Sequence, residues 1–150
     1  MIVIKNGRIV TMSGAYYEDG YIAAKKGKIT GIGEMTSYSK DYESGEEDIT
    51  VIDAKGKYVL PGFIDAHCHV GLWEDSVGIE GDDGNEMTDP ITPHLRAIDG
   101  IYHADRGFVE ARENGITTVV TGPGSANVIG GQFAALKTYG SRVEEMILKE

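Results

Sequence analysis

Apolar and polar positions follow two different rhythms along this chain. Over the first sixty residues, short apolar runs are interrupted by glycine beside a basic residue. This happens at Lys5-Asn6-Gly7-Arg8-Ile9, Lys26-Gly27-Lys28-Ile29 and Lys55-Gly56-Lys57-Tyr58. Glycine tolerates the positive φ that tight hairpin turns demand. The pattern predicts three hairpins: Ile2 to Ile4 with Arg8 to Thr11, Tyr21 to Lys25 with Lys28 to Ile32, and Val51 to Ala54 with Lys57 to Leu60. A polar loop, Glu34 to Thr50, joins the last two. So small an all-β unit has too few strands to bury both faces of a sandwich.

After Leu60 the rhythm changes. Phe63 to Ala66 predicts a short apolar strand, followed by a long Gly- and Asp-rich loop from about Val70 to Pro93. Ile101, Ala104, Phe108 and Ala111 recur at helical spacing. They predict a helix over about 100–114, capped by Asp99, with Gly115 at the C′ position. Ile116 to Thr121 is β-branched and predicts a second strand, parallel to the first because a helix intervenes. A glycine-rich loop spans Gly122 to Gly131. Phe133 to Thr138 reads as a strand and Arg142 to Lys149 as a short helix.

Composition narrows the function classes. At 150 residues and 41% apolar content the chain is long enough and apolar enough for a real core, which excludes wholesale disorder. The net charge of −10 is concentrated in two stretches. Glu34 to Thr50 carries six acids against one lysine, and Glu74 to Asp89 carries seven acids and no base. Both read as solvated loops. Asp82, Asp83, Asn85 and Glu86 lack the spacing of a calcium loop. An acidic chain with no basic patch is a poor nucleic-acid binder. One cysteine, Cys68, excludes an internal disulfide. With no leader-like start and no membrane-length apolar run, the expectation is a soluble, cytoplasmic protein.

The chemistry concentrates at His67 and His69. Positions i and i+2 on a strand share a face, so both imidazoles project to one side of a rigid element, a way to grip a divalent metal. Asp65 lies on that face and is a candidate for orienting a ligand from behind. Cys68 points to the opposite face and reads as a core residue. Two histidines do not make a hydrolytic centre, which needs at least three protein ligands and an open position for water. His94, in the loop above the proposed site, is a candidate for reaching substrate or metal, with a surface histidine as the plainer reading. His103 reads as a surface or packing histidine.

The string Val59-Leu60-Pro61-Gly62-Phe63-Ile64-Asp65-Ala66-His67-Cys68-His69 resembles the first barrel strand of the metal-dependent amidohydrolase superfamily. Val51 to Tyr58, Ile4 to Ile9 and Gly115 to Val119 are similar to neighbouring segments of that family, and the subgroup resembled most is the imidazolonepropionase-like one. The resemblance implies an α/β fold. Residues 1–58 would be part of a small β-sandwich, and residues 59–150 the first strands and helices of a (β/α)8 TIM barrel, incomplete in this chain. It implies that His67 and His69 are metal ligands to one or two ions, zinc first, with iron, manganese or nickel as alternatives. It also implies that the loop containing Gly122, Gly124, Ser125 and Asn127 lines a substrate pocket; a tight connection needing glycine's freedom is the other reading.

The family's remaining ligands and its catalytic aspartate lie on later strands. A full barrel takes about 250 residues, and about 90 follow Leu60 here. No catalytic base is therefore expected within these residues. The expected function is that of the N-terminal part of a hydrolase that attacks C–N bonds of amides or cyclic amides in small molecules with metal-activated water, the piece alone being inactive. Self-association, or completion by the rest of a barrel, is the expected partnership. The alternative is a non-catalytic metal-binding or assembly module that works with another polypeptide.

Overall fold

The computed structural model describes residues 1–44, 48–74 and 77–150, so the tips of the two acidic stretches lie outside the described residues. The described chain divides into two compact units, Met1–Pro61 and Gly62–Glu150. Among the described residues, no helix is long and apolar enough to cross a membrane.

The first unit is one mixed sheet. β1 (Ile2–Val10) pairs antiparallel with β2 (Tyr16–Lys25), which pairs antiparallel with β3 (Lys28–Glu34). The predicted second hairpin is present, with Lys25 opposite Lys28 across a two-residue turn. The first and third hairpins are absent. Ile2 to Val10 is a single strand, and Asn6, at φ 57°, makes a bulge in it rather than a reversal. β4 (Thr50–Asp53) and β5 (Tyr58–Val59) both run parallel to β1, along successive lengths of it. Between them Lys57 N–H donates to the Ala54 carbonyl at 2.9 Å, while Gly56 N–H donates to the Asn6 carbonyl at 2.7 Å. The glycine-basic pairs at Gly7 and Gly56 thus mark two kinks that face each other across a parallel pair. A local turn signal cannot distinguish a kink from a hairpin, because pairing to a third strand decides which forms.

The loop after β3 is tied down more firmly than its charge suggests. Tyr38 and Tyr42 pack on Tyr21, with ring centroids 5.1 and 5.6 Å away. Glu43 accepts from Tyr38 Oη at 2.6 Å and from Lys5 Nζ at 2.8 Å. Burial and this bond to the carboxylate push the Tyr38 hydroxyl up to about 12.

The second unit is a four-stranded sheet in the order β6 (Phe63–Cys68), β7 (Ile116–Thr121), β8 (Ala134–Lys137), β9 (Ile147–Lys149). β6 and β7 are parallel and joined through helical segments, as the alternation of patterns predicts. β8 and β9 are antiparallel to their neighbours. The observed architecture is therefore two mixed sheets with few helices.

Two helix boundaries differ from the sequence reading. Instead of one helix over 100–114 there are two, α1 (Ala97–Gly100) and α2 (Arg106–Glu113). The cap of the longer helix is Asp105, not Asp99. Asp105 Oδ1 accepts from Gly107 N–H at 2.7 Å and Oδ2 from Gly71 N–H at 3.1 Å. Tyr102 N–H donates to the Gly71 carbonyl at 2.8 Å, so tertiary bonds draw Ile101 to Ala104 out of the helix. Asp99 instead binds Arg96, with Arg96 Nη2 donating at 2.7 Å. Gly115 does occupy the C′ position, at φ 88°.

At the C-terminal end only Val143–Met146 is helical (α3), because Ile147 pairs with Leu136 and the segment becomes β9. The α3 turn is held by Glu145. Its carboxylate accepts from the Ser141 hydroxyl at 2.6 Å, from Ser141 N–H at 3.1 Å and from Arg142. These bonds hold it down to about 2 against an ordinary 4.5. A carboxylate depressed on folding stabilises the protein above its unfolded pKa and loses that contribution as pH falls through its folded one. Glu145→Gln is accordingly expected to lower Tm at pH 7, with the gap to wild type closing between about pH 4.5 and pH 2. Paired thermal melts across that range check it.

The second unit's core comprises Leu72, Ala97, Ile101, Phe108, Val119, Ala134, Leu136 and Met146. Cys68 packs against it, as its strand position predicts, and burial pushes its thiol pKa up. The other face of this sheet carries the two candidate histidines.

Candidate metal centre

Strand alternation places the site. Cys68, the last residue of β6, turns inward to the core; His67 within the strand and His69 just past its end bring their rings together on the opposite face. The two imidazoles lie side by side, with ring centroids 5.4 Å apart and planes at 84°. His67 is exposed and His69 half-buried. The first requirement read from the motif, two adjacent imidazoles on one rigid segment, is present in the structure.

His69 is further constrained. Its Nδ1 lies 2.6 Å from the Gly122 carbonyl oxygen. A carbonyl only accepts, so Nδ1 carries the proton and donates. That leaves the lone pair of neutral His69 on Nε2, the atom a metal would take. Commonly a carbonyl or carboxylate behind a ligand histidine sets this tautomer. Here the carbonyl comes from the residue directly after β7, so parallel pairing of β6 with β7 places it.

Asp65 does something other than expected. Its Oδ1 accepts from the main-chain N–H of His67 at 3.1 Å rather than from an imidazole. It shapes the strand's exit, and the orienting acceptor behind His69 is a backbone group instead. The side-chain pattern could not reveal that.

A cavity of about 310 Å3 opens beside His67, lined by Pro123, Gly124, Ser125, Asn127, Val128 and Phe133 among others. The structure thus brings Gly124, Ser125 and Asn127 to His67. Gly122 is buried beneath, where its carbonyl serves His69. Asn127 is committed structurally: its Nδ2 donates to the Glu86 carbonyl at 2.9 Å and to the Asp89 carbonyl at 3.0 Å. Gly124 N–H donates to the Gly84 carbonyl at 2.7 Å and Ala126 N–H to Asn85 Oδ1 at 3.3 Å. Two of the loop's amides are therefore already satisfied, which weakens its reading as an anion-binding nest. The acidic stretch, read as merely solvated, straps the glycine-rich loop. His94 is exposed and does not line this cavity. His103 packs against Tyr102 at 5.7 Å.

Phe133 is the residue sequence reasoning missed. Its ring centroid lies 5.2 Å from that of His67 and 6.3 Å from that of His69. A signal was available: Ala134 and Leu136 are core residues, so alternation puts Phe133 on the histidine face.

The donors suit a borderline divalent ion, since both are imidazoles and one has its tautomer preset. They do not complete a site. Among the described residues, no three His, Cys, Asp or Glu side chains are grouped to hold an ion. Among the described residues β6 is also an edge strand, with Phe63 58% and Ile64 67% exposed beside the histidine face.

Comparison with known proteins is consistent with this geometry. Residues 50–85, which span the histidine strand, match the amidohydrolase family. The solved structure of an amidohydrolase from Thermotoga maritima MSB8 is similar over 100% of this chain, with a TM-score of 0.83 and 37% identity, covering 37% of that chain. Amidohydrolase tasK of Hapsidospora irregularis is 39% identical over 92 residues, 61% of this chain and 9% of its own length. An adenine deaminase of Listeria welshimeri is 45% identical over 69 residues, 46% of this chain and 10% of its own. The chain therefore spans well under two thirds of the proteins it resembles. The resemblance carried by the histidine strand is borne out, and an imidazolonepropionase is also among the relatives.

Proposed function

We propose, with the amidohydrolase relationship as premise, that this chain is the N-terminal part of a metal-dependent hydrolase of C–N bonds in small amides, cyclic amides or related ring substrates. In this reading β6 and β7 are adjacent parallel strands of a barrel, and the first unit is part of a small accompanying β-sandwich. The observation that carries the proposal is the pair of imidazoles with His69 Nδ1 committed to the Gly122 carbonyl.

His67 and His69 would hold the ion. A divalent ion bound there supplies Lewis acidity and lowers the pKa of a coordinated water, with zinc the leading candidate. The chain's own residues do the rest of what is visible. The Gly122 carbonyl keeps the proton on His69 Nδ1 and the ring in one orientation. Pro123, Gly124, Ser125 and Phe133 wall the adjoining cavity, an uncharged surface against which a small neutral ring could lie. Further ligands and the group that moves the proton would come from residues beyond these 150. The free thiol of Cys68, the one cysteine of these 150 residues, suits a reducing compartment such as the cytoplasm.

The test uses two proteins. The full-length protein is expected to bind one or two divalent ions and to hydrolyse members of a panel of cyclic amides, acyl amino acids and aminopurines, losing turnover to a chelator. Residues 1–150 alone are expected to show none. Metal-dependent turnover by the isolated 1–150 chain would defeat the claim that essential groups lie elsewhere. A full-length protein that binds metal but turns over nothing on the panel would favour a metal-binding module.

A second prediction arises at Gly122. A Cβ there would lie 2.3 Å from the Phe133 ring, so ring or loop must move. Gly122→Ala is expected to shift the carbonyl away from His69 and weaken metal affinity about 10- to 100-fold, the usual range for disturbing a ligand's supporting bond. Competition against a metal-binding dye measures it.

A further inference from the structure

We propose that Phe133 is a positioning residue for the two imidazoles, a single ring that sets the orientation of His67 and His69 together. This rests on the metal-site reading above and goes beyond it by assigning a residue outside the ligand motif. Phe133 touches three parts of the site. Its ring lies 5.2 Å from His67, tilted at 38°, and 6.3 Å from His69, at 60°. It also packs on Gly122 so closely that no Cβ fits between them, the nearest ring carbon being 2.3 Å from where one would sit. Gly122 is the residue whose carbonyl accepts from His69 Nδ1. One aromatic ring therefore lies beside both imidazoles and against the residue whose carbonyl selects the tautomer.

The ring is itself held by a frame. Ala134, next in the chain, pairs with Thr121 in the sheet. Gln132 N–H donates to the Leu95 carbonyl at 2.8 Å, and Gln132 Nε2 donates to the Pro93 carbonyl at 2.9 Å. Ala97 N–H donates to the Gln132 carbonyl at 3.0 Å. A rotamer locked by such a shell holds a functional side chain far better than a loop can. Aromatic pairs at these centroid separations also favour tilted geometry over free rotation. His67 is exposed, and the rings beside it are Phe133 and His69, 5.2 and 5.4 Å away, so removing Phe133 widens the χ range open to it.

The experiment compares Phe133→Leu and Phe133→Tyr with wild type in the full-length protein. The first readout needs no metal. In nitrogen-15-labelled, metal-free protein, His69 is expected to show one tautomer, protonated at Nδ1; Phe133→Leu is expected to mix the tautomers and Phe133→Tyr to restore one. The second readout is cobalt(II) titration, where Phe133→Leu is expected to weaken binding about 10-fold or more and alter the visible spectrum, while Phe133→Tyr stays within about 3-fold. A merely structural role would lower Tm and leave both readouts unchanged. Phe133→Leu with a single His69 tautomer and wild-type cobalt affinity overturns the proposal. If wild type binds no cobalt yet the tautomer still mixes in Phe133→Leu, positioning stands and the metal reading falls.

Discussion

Replacing His67 or His69 with alanine is expected to strip the full-length protein of its bound metal and lower kcat/KM by at least about 10³-fold, roughly 4 kcal/mol of transition-state stabilisation. The expectation follows from how few donors this region offers. Among the described residues no third His, Cys, Asp or Glu is grouped with the pair, so no neighbour takes over a lost imidazole. The two variants should not be equivalent. His69 has its tautomer preset by Gly122, whereas His67 is exposed and lies beside the rings of Phe133 and His69. Removing His69 should cost more affinity, because the preorganised ligand loses less freedom on binding. Neither change should disturb the core, since both side chains lie on the face away from it; metal-free melts of the His67 variant should stay within about 0.5 kcal/mol of wild type, whereas the His69 variant leaves the buried Gly122 carbonyl unpaired and should lose about 1–3 kcal/mol. Metal content by elemental analysis, beside turnover, checks the claim. Full metal occupancy in either variant would remove the basis of the proposed function.

Phe108→Ala is expected to produce the largest stability loss, about 3–5 kcal/mol. Phe108 is among the largest fully buried side chains and is 2% exposed. It sits under Gly71, where an added Cβ would come within 2.8 Å of its ring. Around it, Asp105 binds the Gly71 and Gly107 amides, and Tyr102 N–H binds the Gly71 carbonyl. The ring thus supports the turn that leaves the histidine strand two residues after His69. Its loss leaves a cavity that this braced backbone cannot collapse into. On the order of 10 °C in Tm should be lost, and metal affinity should fall as the strand exit loosens. Urea unfolding monitored at both units separates a loss confined to residues 62–150 from a global one. A midpoint change equivalent to less than about 1 kcal/mol would show that the site can repack.

How much of this was legible beforehand depended on the range of the interaction. Ile116 to Thr121 could be read as a strand because its β-branched run needs no distant partner to favour extension. The Lys26-Gly27 turn could be read because a two-residue hairpin is decided by its own backbone angles. Gly7 and Gly56 carry the same signal and misled, because there the pairing of β4 and β5 alongside β1 converts a turn into a kink. The helix over 100–114 broke for a similar reason. Its periodic apolar residues are real, but Asp105 is called upon both to cap α2 and to hold Gly71, thirty-four residues away in sequence.

The amino-acid sequence by itself determined that two imidazoles one residue apart share one face, His67 on the strand and His69 just past its end, since alternation is a property of the extended backbone alone. It also determined that Cys68 turns inward between them and that a parallel strand follows a helical segment. Only the tertiary structure decided what stands behind those imidazoles: a carbonyl at Gly122 rather than the carboxylate of Asp65, and the ring of Phe133. Those contacts join residues more than fifty positions apart, and they arise from strand pairing and loop strapping. Local pattern specifies which way a side chain points; only the assembled sheet specifies what it meets there.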